Sequence, residues 1–224
     1  MDEPTPTRRP RGRPRTLSDD EIFEAALSLF AERGFDGVSM RELNRRLGVS
    51  PAMLARRFAT KEALWEAVVV DAFVTQHDTL RAAALDAIVG IDDDLDRFEA
   101  LVATFIELAG ERPELQRVIN HEACQDTART DFLYQRAVAP LMAEIRPLVD
   151  ELTASGLLTP VTDRELFFLI ANGAASVHAL APLSQCFDAP DGPLDPAAYA
   201  ARAAHVIVAG MRSTSHGTSA SSSR

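Results

Sequence analysis

One short stretch of the chain, from Ser39 to Phe58, combines small uncharged residues with arginines in an order suited to nucleic-acid recognition. The residues that carry this order are Ser50, Pro51, Ala52, Met53, Arg56 and Arg57. On a helix, small residues of the first turn can meet base edges in a major groove, largely through thymine methyl groups. Arginines further along can meet phosphates, which position a protein without reading sequence. The predicted chemistry is therefore non-covalent recognition of double-stranded DNA.

Local signals predict two short helices joined by a tight turn as the elements that position these residues. Ser39 with Glu42 is a capping box, which starts the first helix. Gly48 follows an apolar stripe at helical spacing and can adopt the left-handed conformation that ends a helix. Ser50 is predicted to cap the second helix, with Pro51 at the first helical position, where a missing N–H is not needed.

Further helices are predicted on both sides of this pair. Ser18 with Glu21 is another capping box, and Gly34 ends the helix that it opens. Thr60 caps the following helix, which we expect to continue to about residue 90. Lys61, the only lysine of the chain, lies in its first turn, where the helix dipole disfavours a cation. Its position suggests an anionic group nearby.

This stretch and its flanks resemble the TetR family of transcriptional regulators. The resemblance runs from about Ile22 to Val69 and is carried by IFEAALSLFAERGFDGVSMREL, LGVSPAM and LARRFATKEALWEAV. It implies an all-α fold, with an N-terminal three-helix helix-turn-helix DNA-binding head on a larger helical bundle for ligand binding and dimerisation. It also implies a phosphate contact from Lys61. The family usually has a phosphate-binding Tyr where this chain has Ala55, so Arg56 or Arg57 is expected to replace that contact.

Residues 1–16 are rich in Pro, Gly and Arg and offer nothing apolar to bury, so a disordered basic arm is predicted. Its core Arg-Gly-Arg-Pro resembles an AT-hook, and a narrow A·T minor groove attracts arginine through its concentrated negative potential. The alternative is a solvated tail with loose phosphate affinity. The complete set of predicted DNA contacts is Arg11, Arg13, Ser39, Arg41, Ser50, Pro51, Ala52, Met53, Arg56, Arg57 and Lys61.

Charge is divided unevenly along the 224 residues, whose net charge is −10. Residues 1–60 contain 11 Arg and 9 acidic residues, a balance of +2, which leaves −12 for residues 61–224. This division fits a DNA-facing head on an acidic body. No apolar run approaches the ~20 residues of a membrane helix, and no signal-peptide core or disulfide framework is present. A cytoplasmic protein without a membrane partner is therefore predicted.

The predicted domains are the arm at 1–16, a helix-turn-helix domain at 17–62, a ligand-binding and dimerisation domain at 63–212, and a disordered tail at 213–224. Pro140 and Pro147 are expected to kink or divide a helix over residues 126–155, which leaves room for a cavity. The stretch 186–196 is rich in Pro and Gly and is expected to be a mobile loop. Asp195 with Pro196 starts the last helix.

A few side chains on the body helices are candidates for an effector pocket: Phe105, His121, Gln125, Asn172 and His178. The alternative for each polar member is a hydrogen-bonded core group. The last two helices carry few charges, which favours packing against a second copy as a four-helix bundle. The predicted dimer contacts are Phe167, Ile170, Gly173, Ala174, Val177, Ala203, Val206 and Ile207.

His121 and Cys124 are three residues apart and could face one side of a helix. A zinc site needs further ligands, and no second pair is recognisable. A Cys–His nucleophile needs an orienting partner, and none is evident in the sequence. No metal, cofactor or catalytic residue is therefore predicted, and the chain is not expected to be an enzyme.

The predicted function is that of a ligand-responsive transcriptional regulator. The simplest form is a repressor that binds a palindromic operator as a homodimer and is released by a small apolar or aromatic effector. Two alternatives stay open: an architectural protein that binds DNA without an operator, and a metal- or thiol-dependent sensor centred on His121 and Cys124. The ratio of specific to non-specific DNA affinity separates the first alternative from the regulator.

Overall fold

A computed structural model describes residues 17–213, and its regular secondary structure is helical apart from one isolated bridge. The predicted all-α class is confirmed. The first four helices are α1 (Asp19–Arg33), α2 (Met40–Leu47), α3 (Pro51–Arg57) and α4 (Lys61–Ala87). The rest are α5 (Asp94–Ala109), α6 (Pro113–Ala123), α7 (Ala128–Leu133), α8 (Ala139–Ala154), α9 (Asp163–Leu166), α10 (Ser176–Ala179), α11 (Ala181–Ser184), α12 (Asp188–Asp191) and α13 (Pro196–Met211).

Helices α1–α3 form the head, α4 leads from the head into the body, and α5–α13 form the body. Two π-helical segments interrupt the body helices, Tyr134–Val138 between α7 and α8 and Phe167–Ala174 after α9. None of the helices between residues 17 and 213 combines the length and the apolar character needed to cross a membrane.

Most of the predicted helix ends are confirmed. Ser18 and Glu21 form the reciprocal capping box of α1, and the Thr60 hydroxyl caps α4. Gly48 ends α2 in the left-handed conformation. Gly34, which ends α1, has a φ of +68°, and a Cβ there would lie only 3.2 Å from the His121 ring. A glycine is therefore required at this position by backbone conformation and by space.

Two predicted caps need correction. The Ser39 hydroxyl accepts the N–H of Glu42 at 3.2 Å, but the Glu42 carboxylate does not close the box. It binds Arg33 and Arg45 instead, because these guanidinium groups outcompete a neutral backbone donor. Ser50 precedes α3 without a side-chain cap, so its exposed hydroxyl is not used by the helix.

The head and the first half of α4 share one apolar core, which contains the fully buried Phe30 and Trp65. Three residues of the body belong to the same cluster, Leu115 and Val118 of α6 and Leu133 of α7. The predicted boundary between residues 62 and 63 thus falls inside α4 and inside a continuous core. Burial of side chains from both parts fixes the head on the body, since each buried Leu or Val contributes about 1.5–3 kcal/mol.

Charged groups surround Phe35 in the turn between α1 and α2. The Nζ of Lys61 and the Cζ of Arg129 lie 3.9 and 4.0 Å from the centre of its ring. Lys61 also donates to the carbonyl oxygens of Phe35 and Val38, at 2.9 and 3.0 Å. Arg129 donates through Nε to the buried carboxylate of Glu122 at 2.8 Å. We refer to Phe35, Lys61, Arg129 and Glu122 as the Phe35 clamp, which joins the head to α4, α6 and α7.

The body core lies mainly between α5 and α13. Phe98 and Ile106 of α5 are buried in it, together with Ala200, Ala204 and Val208, which recur every fourth residue of α13. Small residues at two of these positions allow the helices to approach closely. An antiparallel bridge between residues 158 and 212 ties the end of α13 to the loop after α8.

The two prolines of the predicted 126–155 helix behave differently. A π-helical segment precedes Pro140, which lies in the first turn of α8, where no N–H donor is required. Helix α8 continues through Pro147 to Ala154, so the chain is divided at only one of the two. The stretch 186–196, expected to be a loop, contains part of a 3-10 turn and the one-turn helix α12.

The Phe35 clamp generates a stability prediction. Glu122 is only 3% exposed, so Glu122→Ala removes the carboxylate that neutralises Arg129 and leaves a cavity. We expect the free energy of unfolding in urea to fall by about 2–3 kcal/mol. As a control, Asp150→Ala breaks an exposed pair with Arg146 on α8 and should change it by less than about 1 kcal/mol. Equal losses in the two variants would contradict the role given to Glu122.

Candidate DNA interface and effector cavity

The exposed face of α3 consists of four residues at helical spacing, Pro51, Ala52, Ala55 and Arg56. Leu54 is fully buried and holds the helix on the core of the head. Small side chains thus lie at the N-terminal end of the face, and a guanidinium group follows one turn later. This is the order predicted for a helix that enters a major groove.

Two exposed arginines of the head have no carboxylate partner within residues 17–213, Arg41 at the start of α2 and Arg56 on α3. Arg45 and Arg46, in contrast, form ion pairs with acidic residues of the head. Arg41 and Arg56 are therefore the side chains best placed to bind phosphates, together with the exposed hydroxyl of Ser50.

Three other predicted DNA contacts have partners inside the protein. Arg57 donates through Nη1 to the carbonyl oxygen of Leu17 at 2.8 Å and lies 3.4 Å from a carboxylate oxygen of Asp19. Lys61 belongs to the Phe35 clamp, and Met53 packs partly against the head core. These residues hold the head together, and their contact with DNA remains a prediction. Arg11 and Arg13 lie outside the described residues.

Two adjoining cavities lie in the body between α4, α5, α8 and the π-helical segments. The aliphatic cavity, about 280 Å³, is bounded by residues that include Phe98, Leu148 and Ile170. The arginine cavity, about 220 Å³, is bounded by residues that include Arg112 and Arg136. They share five wall residues: Leu80, Phe105, Leu141, Phe167 and Ala171. Together they reach the size typical of small-molecule sites, roughly 300–1,000 Å³.

Both π-helical segments line these cavities. Arg136 and Val138 come from the first segment, and Phe167 and Ala171 come from the second. A π turn inserts an extra residue into a helix and is frequent at functional sites. Neither segment was predicted, because no local residue pattern distinguishes a π turn from an α turn.

Three polar side chains from α4 and α8 form a group at the cavity walls. Arg81 Nε lies 2.9 Å from one carboxylate oxygen of Glu144, and the His77 ring is hydrogen-bonded to the other oxygen. Arg81 and Glu144 line the aliphatic cavity, whereas His77 lines the arginine cavity. This group was not predicted, since Glu144 is more than sixty residues away from His77 and Arg81 in sequence.

Among the predicted pocket residues, only Phe105 lines the cavities. The other four line neither cavity. His121 is exposed and donates through Nε2 to the carbonyl oxygen of Ala31 in the head, at 3.2 Å. Gln125 is exposed beyond the end of α6. Asn172 accepts a hydrogen bond from Gln116 at 3.1 Å, so its polarity is satisfied in the packing between helices.

His178 packs against Gly110 and lies edge-on to Tyr199, with ring centres 6.4 Å apart. Its Nε2 is buried without a hydrogen-bond partner. Burial lowers the pKa of His178 below its ordinary value of 6.5, and a hydrogen bond with the backbone of Ile106 opposes this only in part. His178 is therefore a packed core group rather than a wall of either cavity.

His121 and Cys124 point to no metal centre in the described part of the chain. Within residues 17–213, no three His, Cys, Asp or Glu side chains are grouped so that they could hold a metal ion. Cys124 is exposed at the C-terminal end of α6.

The predicted dimer contacts divide into two sets. Gly173 and Val206 are exposed, and Val177 is partly exposed. The other five are also partly exposed and pack against the subunit's own core or cavity walls, so their contact with a second copy stays a prediction: Phe167, Ile170, Ala174, Ala203 and Ile207. Phe168 and Leu169, which were missed, are 56% and 48% exposed.

The environment of His178 generates a prediction about pH. Its pKa is lower when folded than when unfolded, so the unfolded state binds more protons between these two values. Neutral His178 should therefore contribute fully to the free energy of unfolding above its unfolded pKa. This contribution should decrease as the pH falls below about 6.5. When the pH is lowered from about 8 to about 5, we expect the wild type to lose stability relative to His178→Gln. Urea unfolding at both values checks this, and a pH-independent difference would contradict it.

The sequence profile of bacterial regulatory proteins of the tetR family matches residues 22–68. The chain is 39% identical over 57 residues to the HTH-type transcriptional repressor BdcR of Escherichia coli (strain K12), a match that covers 25% of this chain and 29% of BdcR. It is 34% identical over 68 residues to the tetracycline repressor protein class D of Escherichia coli, covering 30% of this chain and 31% of that protein. The chain thus spans about a third of the length of these curated relatives.

The likeness in structure extends over the whole body. The fatty acid degradation regulator FadR from Bacillus halodurans superposes with a TM-score of 0.65 at 16% identity, covering 87% of this chain and 100% of that chain. At this identity the likeness establishes the fold. Residues 22–68 are thus a helix-turn-helix DNA-binding domain of the TetR family, and the helical body shares its fold with that regulator.

Proposed function

We propose that the protein is a dimeric transcriptional repressor that binds a palindromic operator and is released by a small, largely apolar effector. The observation that carries the proposal is the exposed face of α3, on which small residues precede Arg56, which has no carboxylate partner within residues 17–213. Such a face can read bases by shape and thymine contact while it binds a phosphate. BdcR and the tetracycline repressor, which share this domain, are described as repressors, and this supports repression here. A cytoplasmic location follows from this role.

An apolar surface supports the dimer. Phe168 and Leu169 of the second π-helical segment and Val206 of α13 are all exposed. Large apolar side chains that are exposed on neighbouring elements mark an interaction surface. A two-fold dimer through this surface presents two copies of α3, so the operator half-sites are expected about one helical turn apart.

The aliphatic and arginine cavities support a small-molecule effector. They lie between α4, which continues from the head, and the helices of the body. A ligand that binds better when the heads are spaced unfavourably for DNA lowers operator affinity by its differential affinity for the two states. The apolar walls favour an effector with a large apolar part.

The operator prediction is tested by fluorescence anisotropy on the gene's own upstream DNA and on scrambled DNA, over a salt series. A regulator binds the upstream DNA at least ~10³ times more tightly. Equal affinity for both would support an architectural protein instead. In Arg56→Gln, a dimer loses two phosphate contacts, so the salt slope should become shallower by about 2. Arg97→Gln, on α5, is the control and should leave the slope unchanged.

The dimer prediction is tested with two matched substitutions. Val206 is 70% exposed on the proposed interface, and Val89 is 78% exposed in the turn after α4. Val206→Arg places a charge in an apolar interface and should convert the dimer to a monomer in sedimentation velocity, with a loss of operator binding. Val89→Arg should remain dimeric. A dimeric Val206→Arg protein would contradict the assigned interface.

A further inference from the structure

The arginine cavity has an unusual charge for its position. Its walls include Arg112 and Arg136, and no Asp or Glu side chain of residues 17–213 lines it. The surrounding residues 61–224 carry a net charge of −12, so two arginines without a lining carboxylate are unusual in this body. In the aliphatic cavity, Arg81 is paired with Glu144, whereas Arg136 of the arginine cavity has no carboxylate partner in the described part of the chain. Unpaired positive charge thus lies at one of the two adjoining cavities.

Arg112 connects this cavity to the head. It is the residue before α6, and its side chain is only 20% exposed. Its Nη2 lies 2.7 Å from the carboxylate of Glu24 on α1, and its Nε lies 3.3 Å from that of Glu114 on α6. The Glu24 side chain is 67% exposed, so water can take over its solvation if the pair opens. A single guanidinium group therefore belongs both to the cavity wall and to the contact between head and body.

We propose that the effector is an amphipathic anion, such as an aliphatic carboxylate, whose charged group binds Arg112 and whose apolar chain extends into the aliphatic cavity. The anion replaces Glu24 on Arg112 and thereby removes one ion pair between α1 and the body. This proposal deepens the effector site of the proposed function and rests on it.

The geometry of the arginine supports the exchange. A guanidinium group presents five donors in a planar fork and binds carboxylates through paired hydrogen bonds. Glu114 lies on α6 and can keep its contact with Nε of Arg112 while an incoming anion binds Nη2. Arg136 has no carboxylate partner within residues 17–213 and supplies a second positive charge at the same cavity. The five shared wall residues are apolar, so a chain directed from the arginine cavity toward the aliphatic cavity meets no polar side chain among them.

Thermodynamic linkage makes the exchange measurable. If Glu24 competes with the ligand, its removal must tighten ligand binding and weaken the operator-bound state that the pair stabilises. The pair is partly exposed, so each effect is expected to be about two- to five-fold.

The ligand class is tested by isothermal titration calorimetry on the full chain without DNA, with decanoate, decanol and decyltrimethylammonium. We expect decanoate to bind at least about ten-fold more tightly than decanol, because a carboxylate gains charge-assisted hydrogen bonds. Arg112→Gln should abolish this preference and keep decanol binding unchanged, which also shows that the variant is folded. Equal affinity for the three probes, or an undiminished preference in Arg112→Gln, would overturn the proposed site.

The exchange itself is tested with Glu24→Gln and Glu32→Gln. Both remove one negative charge from α1, but Glu32 pairs with Arg46 inside the head. Glu24→Gln alone should bind decanoate about two- to five-fold more tightly and bind operator less tightly by a similar factor. Identical behaviour of the two variants would overturn the exchange. Wild-type operator binding without ligand tests the proposed function separately, because the calorimetry needs no DNA.

Discussion

The orientation of the head depends on the charges that surround one aromatic ring. Phe35 lies in the first turn of the head, yet the two cations against it come from the start of α4 and from α7. One cation also binds carbonyl oxygens of that turn, and the other is neutralised by a buried glutamate of α6. Such a network is stable only when complete, because each missing member leaves a buried polar group unsatisfied. The direction in which α3 faces DNA is therefore fixed by contacts with the body.

Helix α6 contributes to the head core as well as to the body. It belongs to the body by chain order, yet Leu115 and Val118 are part of the head core, and His121 contacts the end of α1. Leu115 also lines the arginine cavity, next to Arg112. A molecule in that cavity is thus separated from α1 by a single helix, α6. No long chain of small displacements is needed to connect them.

Most of the predictions from the sequence that are confirmed depend on local signals. The capping box at Ser18, the glycine ends at Gly34 and Gly48, and the apolar stripe of the head all involve residues within a few positions of one another. The cavities depend on contacts that no local pattern specifies. Glu24 and Arg112 are 88 residues apart, and their pairing follows from the way α6 crosses α1. Pocket candidates selected from polar residues on single helices were therefore mostly misplaced.

The second π-helical segment contains one residue more than regular α-helical spacing requires. Buried positions follow one another at 166, 171, 175 and 179, so the first interval is five residues and the later ones are four. One surplus residue places Phe167 against the cavities and Phe168 outside. A deletion of a single residue between 169 and 174 would restore α-helical register and rotate both rings relative to the helix that follows. The cavity walls and the outer apolar surface of this subunit thus share one origin, an insertion that a single codon can add or remove.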